Sequence, residues 1–314
     1  MYCQLPTPNS LLPISVSPRL GRSWELGVGP ESRIRNPESR VYKGVYPKRL
    51  EGDTLMRNVL RGCASFVWLI LMPALAFAQT ELRVLVGGAV TVPVKEAGAA
   101  FTRATGNTLV YVSDTTGALQ KRLAAGEKAD LVVVAGPGMD GLQKANLVVA
   151  GSRVDLARAL IGVGVRAGAA SPDLSTPETF RAALLKARSV SYVNPASGGT
   201  SGTYFEGLLQ RMGIADAMKA KIVYRTQGSE VADAVAKGDA EFGVSFTSEL
   251  QPNKGVKVAG TLPAAIQLPT IYVAAIPTTA ASADAARAFL RVLAGAEGRA
   301  ALTKAGLEPL GAGH

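Results

Sequence analysis

The sequence predicts an α/β protein of two lobes, each built on a doubly wound sheet, joined by crossing strands rather than by a tether. Three observations predict it. From Leu82 onward, short apolar runs alternate with stretches of helical period. This alternation occurs in two successive series. Pro and Gly are spread through the loops, and no flexible linker separates the series. Continuous apolar strands alternating with helices imply a parallel sheet covered on both faces. The expected first lobe combines residues 79–158 with 265–314, and the second spans 159–264.

The elements follow in order. Leu82–Val86 reads as a strand. Pro93–Thr105 reads as a helix, with Pro93 in its first turn, Val94, Ala97, Phe101 and Ala104 on one face, and Gly106 as its stop. Thr108–Ser113 is a second strand, Ala118–Ala125 a short helix closed by Gly126, and Asp130–Ala135 a third strand. Leu160–Val165 opens the second series as a strand. A helix over Pro177–Ala187 follows the cap candidates Ser175 and Thr176, and Ser189–Val193 is the next strand. After a glycine-rich loop comes a helix from Ser201 to Met212, striped by Tyr204, Phe205, Leu208, Leu209 and Met212. Strand Lys221–Tyr224, helix Ser229–Lys237 and strand Glu241–Phe246 complete the series. Thr270–Ile276 is a late strand, and helices over 283–294 and 296–305 close the chain.

The N-terminal part has another character. Residues 1–55 are rich in Pro, Ser, Gly and Arg without apolar period, and are read as an over-extended reading frame or a disordered extension. Met56 opens a signal-peptide pattern: Arg57 and Arg61, an apolar stretch from Ala64 to Leu75, and Ala76-Phe77-Ala78. Residues 56–78 are therefore the expected signal peptide, cleaved after Ala78, and the periplasm is the expected destination. Cys63 precedes the apolar stretch, where a lipid-bearing cysteine would follow it.

Ten of the 34 basic and five of the 24 acidic residues lie before residue 79, so the remainder carries 24 against 19, a net charge of +5. The basic residues are scattered, which does not point to nucleic acid. A mild positive excess helps steer anions. Beyond residue 78 there is no Cys and no Trp, and the one His is His314. A Cys nucleophile, a Ser-His-Asp triad and a zinc site of His/Cys type are thereby excluded. Neither a metal nor a cofactor is expected. The chemistry falls to hydroxyls, backbone amides, carboxylates, Lys, Arg and Tyr.

Three loops follow strands and open helices: Gly87-Gly88-Ala89-Val90-Thr91, Ser113-Asp114-Thr115-Thr116-Gly117, and Asn194 to Thr203. Each offers small residues and backbone N–H groups at a helix start, where partial positive charge stabilises an anion. Singly, each is also ordinary capping and turn chemistry. The run Ser197-Gly198-Gly199-Thr200-Ser201-Gly202-Thr203 exceeds what one cap requires, and it lacks the Lys-Ser/Thr of a Walker loop. The candidate ligand-binding residues are Gly88, Ala89, Thr115, Thr116, Ser197, Ser201, Gly202, Tyr204, Gly228, Ser229, Phe246 and Ser248. For Phe246 a core position is an equal reading, and Tyr204 also fits the helix stripe.

Residues 81–308 resemble the periplasmic molybdate-binding family, the type II solute receptors of ABC importers. The resemblance rests on Leu82-Arg83-Val84-Leu85, on Phe101…Thr105-Gly106, and on Leu119…Leu123-Ala124-Ala125-Gly126-Glu127-Lys128-Ala129-Asp130-Leu131. It continues through Ser201-Gly202-Thr203-Tyr204 and Gly238-Asp239-Ala240-Glu241-Phe242-Gly243-Val244. It implies the two-lobed periplasmic binding protein fold, hinge closure, and an oxyanion held by hydroxyls and backbone amides. The family's first-loop serine falls on Ala89, its second on Thr115 or Thr116, its backbone donors on Ser201 and Gly228, and its tyrosine on Phe246. Two hydroxyl donors are thus missing. An unmade hydrogen bond to a charged group costs roughly 1.5–3 kcal/mol, which disfavours molybdate.

The loop 196–202 and the stretch Ser171-Pro172-Asp173-Leu174-Ser175-Thr176 resemble a divergent branch, that of the periplasmic aconitate isomerases. This resemblance implies an organic di- or tricarboxylate. The expected function is capture of a small anion, an organic carboxylate, between two lobes for a membrane ABC permease, by a monomer. The alternatives are an oxyanion receptor and an aconitate isomerase. An isomerase needs a positioned base, and the candidates are Glu249, Asp114 and Tyr204. No sequence neighbour marks any of them as tuned, so binding without catalysis is the expected reading.

Overall fold

The computed structural model describes residues 79–311. The readings placed on residues 1–78 and on His314 lie outside the described residues.

Two sheets organise the chain. The first has six strands: β1 (Glu81–Gly87), β2 (Thr108–Asp114), β3 (Leu131–Ala135), β4 (Val154–Ala159), β10 (Thr270–Ala275) and the short β11 (Glu308–Pro309), in the order β11-β4-β10-β3-β1-β2. The second has five: β5 (Ile161–Arg166), β6 (Val190–Val193), β7 (Ile222–Arg225), β8 (Phe242–Phe246) and β9 (Val256–Thr261), in the order β7-β6-β8-β5-β9. The chain leaves the first sheet along β4 and enters the second along β5, with only Leu160 between them. It returns from β9 to β10 through residues 262–269.

Both sheets are mixed, which corrects the reading of parallel sheets. β1 pairs parallel with β2 and β3, and β6 pairs parallel with β7 and β8. The antiparallel pairs are β10 with β3 and β4, β5 with β8 and β9, on either side of the two crossings, and the short β11 with β4. A strand that has just crossed runs against its neighbours because no helix turned it round.

Alternate residues of the inner strands are buried on opposite faces, as a doubly covered sheet demands. Leu82, Val84 and Val86 join Phe101 and Phe289 on one side, whereas Leu85 joins Leu119, Val132, Val134 and Met139 on the other. Phe101 lies on α1 (Thr91–Thr105) and Phe289 on α9 (Ala283–Ala294), and their rings pack 5.1 Å apart. In the second sheet Tyr192 and Val244 face Phe180 and Phe205, while Val193 faces Val231, Val235 and Leu250. Phe180 sits on α4 (Pro177–Lys186), which begins with a reciprocal Thr176–Thr179 capping box, and Phe205 on α5 (Thr200–Arg211). Gly106 ends α1 in the left-handed region, at φ 75°, as its position in the sequence requires.

Four further helices complete the path to the functional region: α2 (Thr116–Ala124), α3 (Gly136–Lys144), α6 (Ala215–Met218) and α7 (Gly228–Lys237). A short helix α8 (Thr247–Leu250) follows β8, and α10 (Ala296–Lys304) follows α9. The sequence reading has no counterpart of α3, β4, β9, the four-residue helices α6 and α8, or the two-residue β11.

Candidate functional site

In open α/β sheets ligands collect beyond the carboxyl ends of the strands. Here β1, β2, β6, β7 and β8 all end at one narrow cleft. Its walls are Gly88, Asp114, Thr115, Thr116, Val193, Gly199, Thr200, Ser201, Gln227, Gly228, Phe246, Glu249 and Tyr272. Gly87 and Asp114 are paired residues at the ends of β1 and β2, so the first two loops start side by side. The Thr91 and Ser113 hydroxyls lie 2.7 Å apart and tie these loops together.

The hydroxyls on the first-sheet side are already engaged. Thr115 caps α2, accepting the Ala118 N–H at 3.2 Å, and its hydroxyl donates to the Ser197 carbonyl on the opposite loop. Thr116 accepts the Ala135 N–H at 3.2 Å, in a buried position. Asp114 accepts the Thr115 N–H at 2.8 Å, and the Arg122 guanidinium stands 3.5 Å from its other oxygen.

The expected residues divide into two groups. Gly88, Thr115, Thr116, Ser201, Gly228 and Phe246 line the cleft, with Asp114 and Glu249. The others lie elsewhere. Ala89 is buried in the core with Val86 and Val90. The Ser197 hydroxyl turns back to the Asn194 carbonyl at 2.7 Å and that of Thr226 at 3.1 Å. Gly202 lets α5 dock on β6, because a Cβ there would stand 1.8 Å from the Val193 carbonyl oxygen. The Tyr204 hydroxyl donates to the Ile266 carbonyl at 2.7 Å, with Arg211 over its ring, so it is spent on the chain segment that returns to the first sheet. Ser229 is exposed, and Ser248 is buried with its hydroxyl unpartnered.

Sequence reasoning missed Tyr272. It belongs to β10, opposite Ala135 of β3, and its ring meets Phe246 edge to face at 5.7 Å. A phenol therefore stands beside the phenylalanine that takes the family's tyrosine position. Burial holds this phenol well above its ordinary range, the charge of Glu249 adds to the effect, and the Thr116 hydroxyl works against it. Val193, Gly199, Thr200 and Gln227 were also missed; of these, Gly199 and Thr200 lie in the donor-rich run itself.

Glu249 is the most perturbed acid of the cleft. It is half-buried and lines the cleft. Ser245 donates to Oε2 at 2.6 Å. Burial pushes its pKa up to about 7, against the pull of the Ser245 hydroxyl and the Phe246 backbone N–H. The carboxyl lies against two backbones: a Cβ on Gly88 would come within 2.3 Å of Oε1, and one on Gly228 within 2.0 Å of Oε2. No Lys or Arg is among the cleft's wall residues. Among the described residues no cluster of His, Cys, Asp and Glu is fit to hold a metal ion. No described helix is long and apolar enough to cross a membrane.

Known proteins share this fold. Residues 82–308 match the family model described as bacterial extracellular solute-binding protein. An aconitate isomerase of Pseudomonas sp is 34% identical over 237 residues, 74% of this chain and 88% of that one. The Azotobacter vinelandii periplasmic molybdate-binding protein superposes with a TM-score of 0.60 at 21% identity, covering 72% of this chain and 98% of its own. The sulfate-binding protein of Mycobacterium tuberculosis superposes with a TM-score of 0.60 at 17% identity, covering 74% and 88%. These likenesses place the two mixed sheets in the type II periplasmic binding protein fold. From the matched span and the level of identity, the chain belongs to the bacterial extracellular solute-binding protein family.

Proposed function

We propose that this protein captures a small organic polycarboxylate in the cleft, between lobes formed on the two sheets, and acts in the periplasm with a membrane permease as a monomer. Its mature form begins after Ala78. The observation that carries the reading is the composition of the cleft wall: Thr116, the backbone and hydroxyls of the 199–201 loop and the start of α7, with no Lys or Arg among the wall residues. Such donors hold carboxylates through oriented N–H and O–H groups. A di- or tricarboxylate spreads its charge over separated groups and can use both loops at once. The likeness to an aconitate isomerase supports this class of ligand.

One observation favours a second reading, that the bound acid is also isomerised. An acid group with a pKa of about 7, beside a phenol in the ligand cleft, suits proton transfer near neutrality. In a shift of an allylic double bond, the Glu249 carboxyl would pass its proton to one carbon and accept a proton from another on its second oxygen, with no net change in the enzyme.

Calorimetry with citrate, cis-aconitate, trans-aconitate, molybdate and tungstate tests the first reading. Binding of a carboxylate and not of molybdate is the expected result, and tight molybdate binding without carboxylate response would overturn it. Incubation with cis-aconitate, following the trans isomer, tests the second reading. Turnover that is absent, or unchanged by Glu249→Gln, would overturn it.

A further inference from the structure

The carboxyl of Glu249 lies where an anion held by this cleft would be expected to rest. Gly88 follows β1 and Gly228 opens α7, and both were singled out in the sequence as backbone sites facing an anion. The Glu249 oxygens fill the space in front of both glycines: a Cβ on either would meet this carboxyl before any other group. A ligand oxyanion drawn to the same backbone would stand in contact with this carboxyl. Two negative charges at that distance, without a cation between them, cannot both persist in an enclosed site.

We propose that Glu249 is a specificity-determining residue that enters the complex as a neutral carboxylic acid, so that the cleft takes up an anion together with one proton. The inference rests on the cleft described above being the ligand site. Ser245 donates to Oε2, which leaves Oε1, on the Gly88 side, to carry the proton and donate it to a ligand oxygen. The acid's own surroundings allow this. Tyr272 faces it from β10 as a neutral phenol. Asp114 shares the cleft but has Arg122 as its partner. On α7, the Glu230 carboxylate is turned back onto the Thr226 N–H at 2.9 Å. Nothing on the adjoining turn at Gly88–Val90 is charged. No cation in the wall competes for the anion, so the proton is the one positive charge that can accompany it.

This makes the cleft selective by ligand basicity. A carboxylate can accept a hydrogen bond from an acid of matched strength, whereas the anion of a strong acid such as sulfate accepts it poorly.

Calorimetry on the protein tests this. Binding of trans-aconitate and cis-aconitate is measured from pH 5.5 to 8.5 in buffers of different ionisation enthalpy, with sulfate as the comparison anion. About one proton should be taken up per ligand near pH 8, and affinity should fall by up to about tenfold per pH unit above roughly pH 7. Glu249→Gln, which keeps a neutral donor, should bind with no proton uptake and a flat profile. A merely structural Glu249 would change affinity without changing the proton count. Carboxylate binding without proton uptake overturns the inference and leaves the ligand class standing. Sulfate binding with uptake and no carboxylate binding overturns the ligand class and the selectivity by basicity, and leaves only the coupled uptake of a proton standing. No anion bound at any pH overturns both.

Discussion

Gly117 and Gly198, each next in sequence to a residue of the cleft wall, meet backbone to backbone: the Gly117 N–H donates to the Gly198 carbonyl at 3.1 Å, and a Cβ on Gly117 would stand 2.8 Å from the Gly198 Cα. One glycine follows β2 and the other lies on the loop after β6, so this contact joins the two sheets' loops beside the cleft. Gly117→Val should hold the loops apart. The expected result is a ligand that leaves faster, with affinity down about tenfold or more, while the thermal midpoint without ligand stays near that of the wild type. Stopped-flow dissociation and calorimetry check both.

The titration of Glu249 should appear in stability. Its carboxyl is raised in the folded protein to about 7 from an ordinary value of 4.5. The sign follows: the folded state holds the proton more tightly than the unfolded chain. The contribution is therefore fully present below about pH 4.5, declines as pH rises, and is lost once pH passes through about 7. Its size is on the order of 3 kcal/mol. Chemical denaturation from pH 4.5 to 8, compared with Glu249→Gln, should show this slope in the wild type alone.

Thr116 supplies a buried acceptor to the Ala135 N–H. Thr116→Val keeps the shape and leaves that N–H unpaired. A loss of about 1–3 kcal/mol of stability is expected by urea denaturation. The same substitution weakens ligand binding only if the hydroxyl also meets the ligand, so the two measurements separate the roles.

Tyr272→Phe removes one phenol oxygen and leaves the ring against Phe246. If this hydroxyl serves a bound carboxylate, affinity should fall roughly tenfold to a hundredfold, the worth of a hydrogen bond to a charged group. Binding unchanged by the substitution would remove Tyr272 from the ligand's surroundings.

Gly202→Ala tests a packing role against a binding one. Its Cβ would collide with the Val193 carbonyl oxygen, and overpacking of this kind costs about 1–3 kcal/mol. The expected loss is in stability, seen as a lower denaturation midpoint.

The inner strands were legible because they are buried on both faces: Leu82–Val86 and Asp130–Ala135 are apolar at nearly every position. The helix α3 was not, since its Gly136-Pro137-Gly138 opening reads as a turn. There the glycines serve packing, as a Cβ on Gly138 would meet the Thr116 methyl at 2.2 Å. The strand β4 carries Asp155 and Arg158 among its apolar residues, as one-sided exposure allows, and so lacks the continuous run. In the site, the loop glycines and hydroxyls announced themselves by clustering. Tyr272 did not, because its position depends on β10 running back antiparallel beside β3. That pairing across more than a hundred residues leaves no local trace. Tyr204 carried a loop-side signal but satisfies its hydroxyl at Ile266.

The absence of Lys and Arg from the cleft wall reaches beyond selectivity, to how capture responds to the surrounding medium. Point charges at an entrance accelerate the arrival of anions, and salt screens that acceleration within roughly 8–10 Å at ordinary ionic strength. Fixed dipoles of N–H and O–H groups act only at contact, where mobile ions do not enter. Retention in this cleft should therefore vary little with salinity, while acidity governs it. A binding site made of short-range dipoles keeps its grip through swings in ionic strength that would loosen one built on point charges.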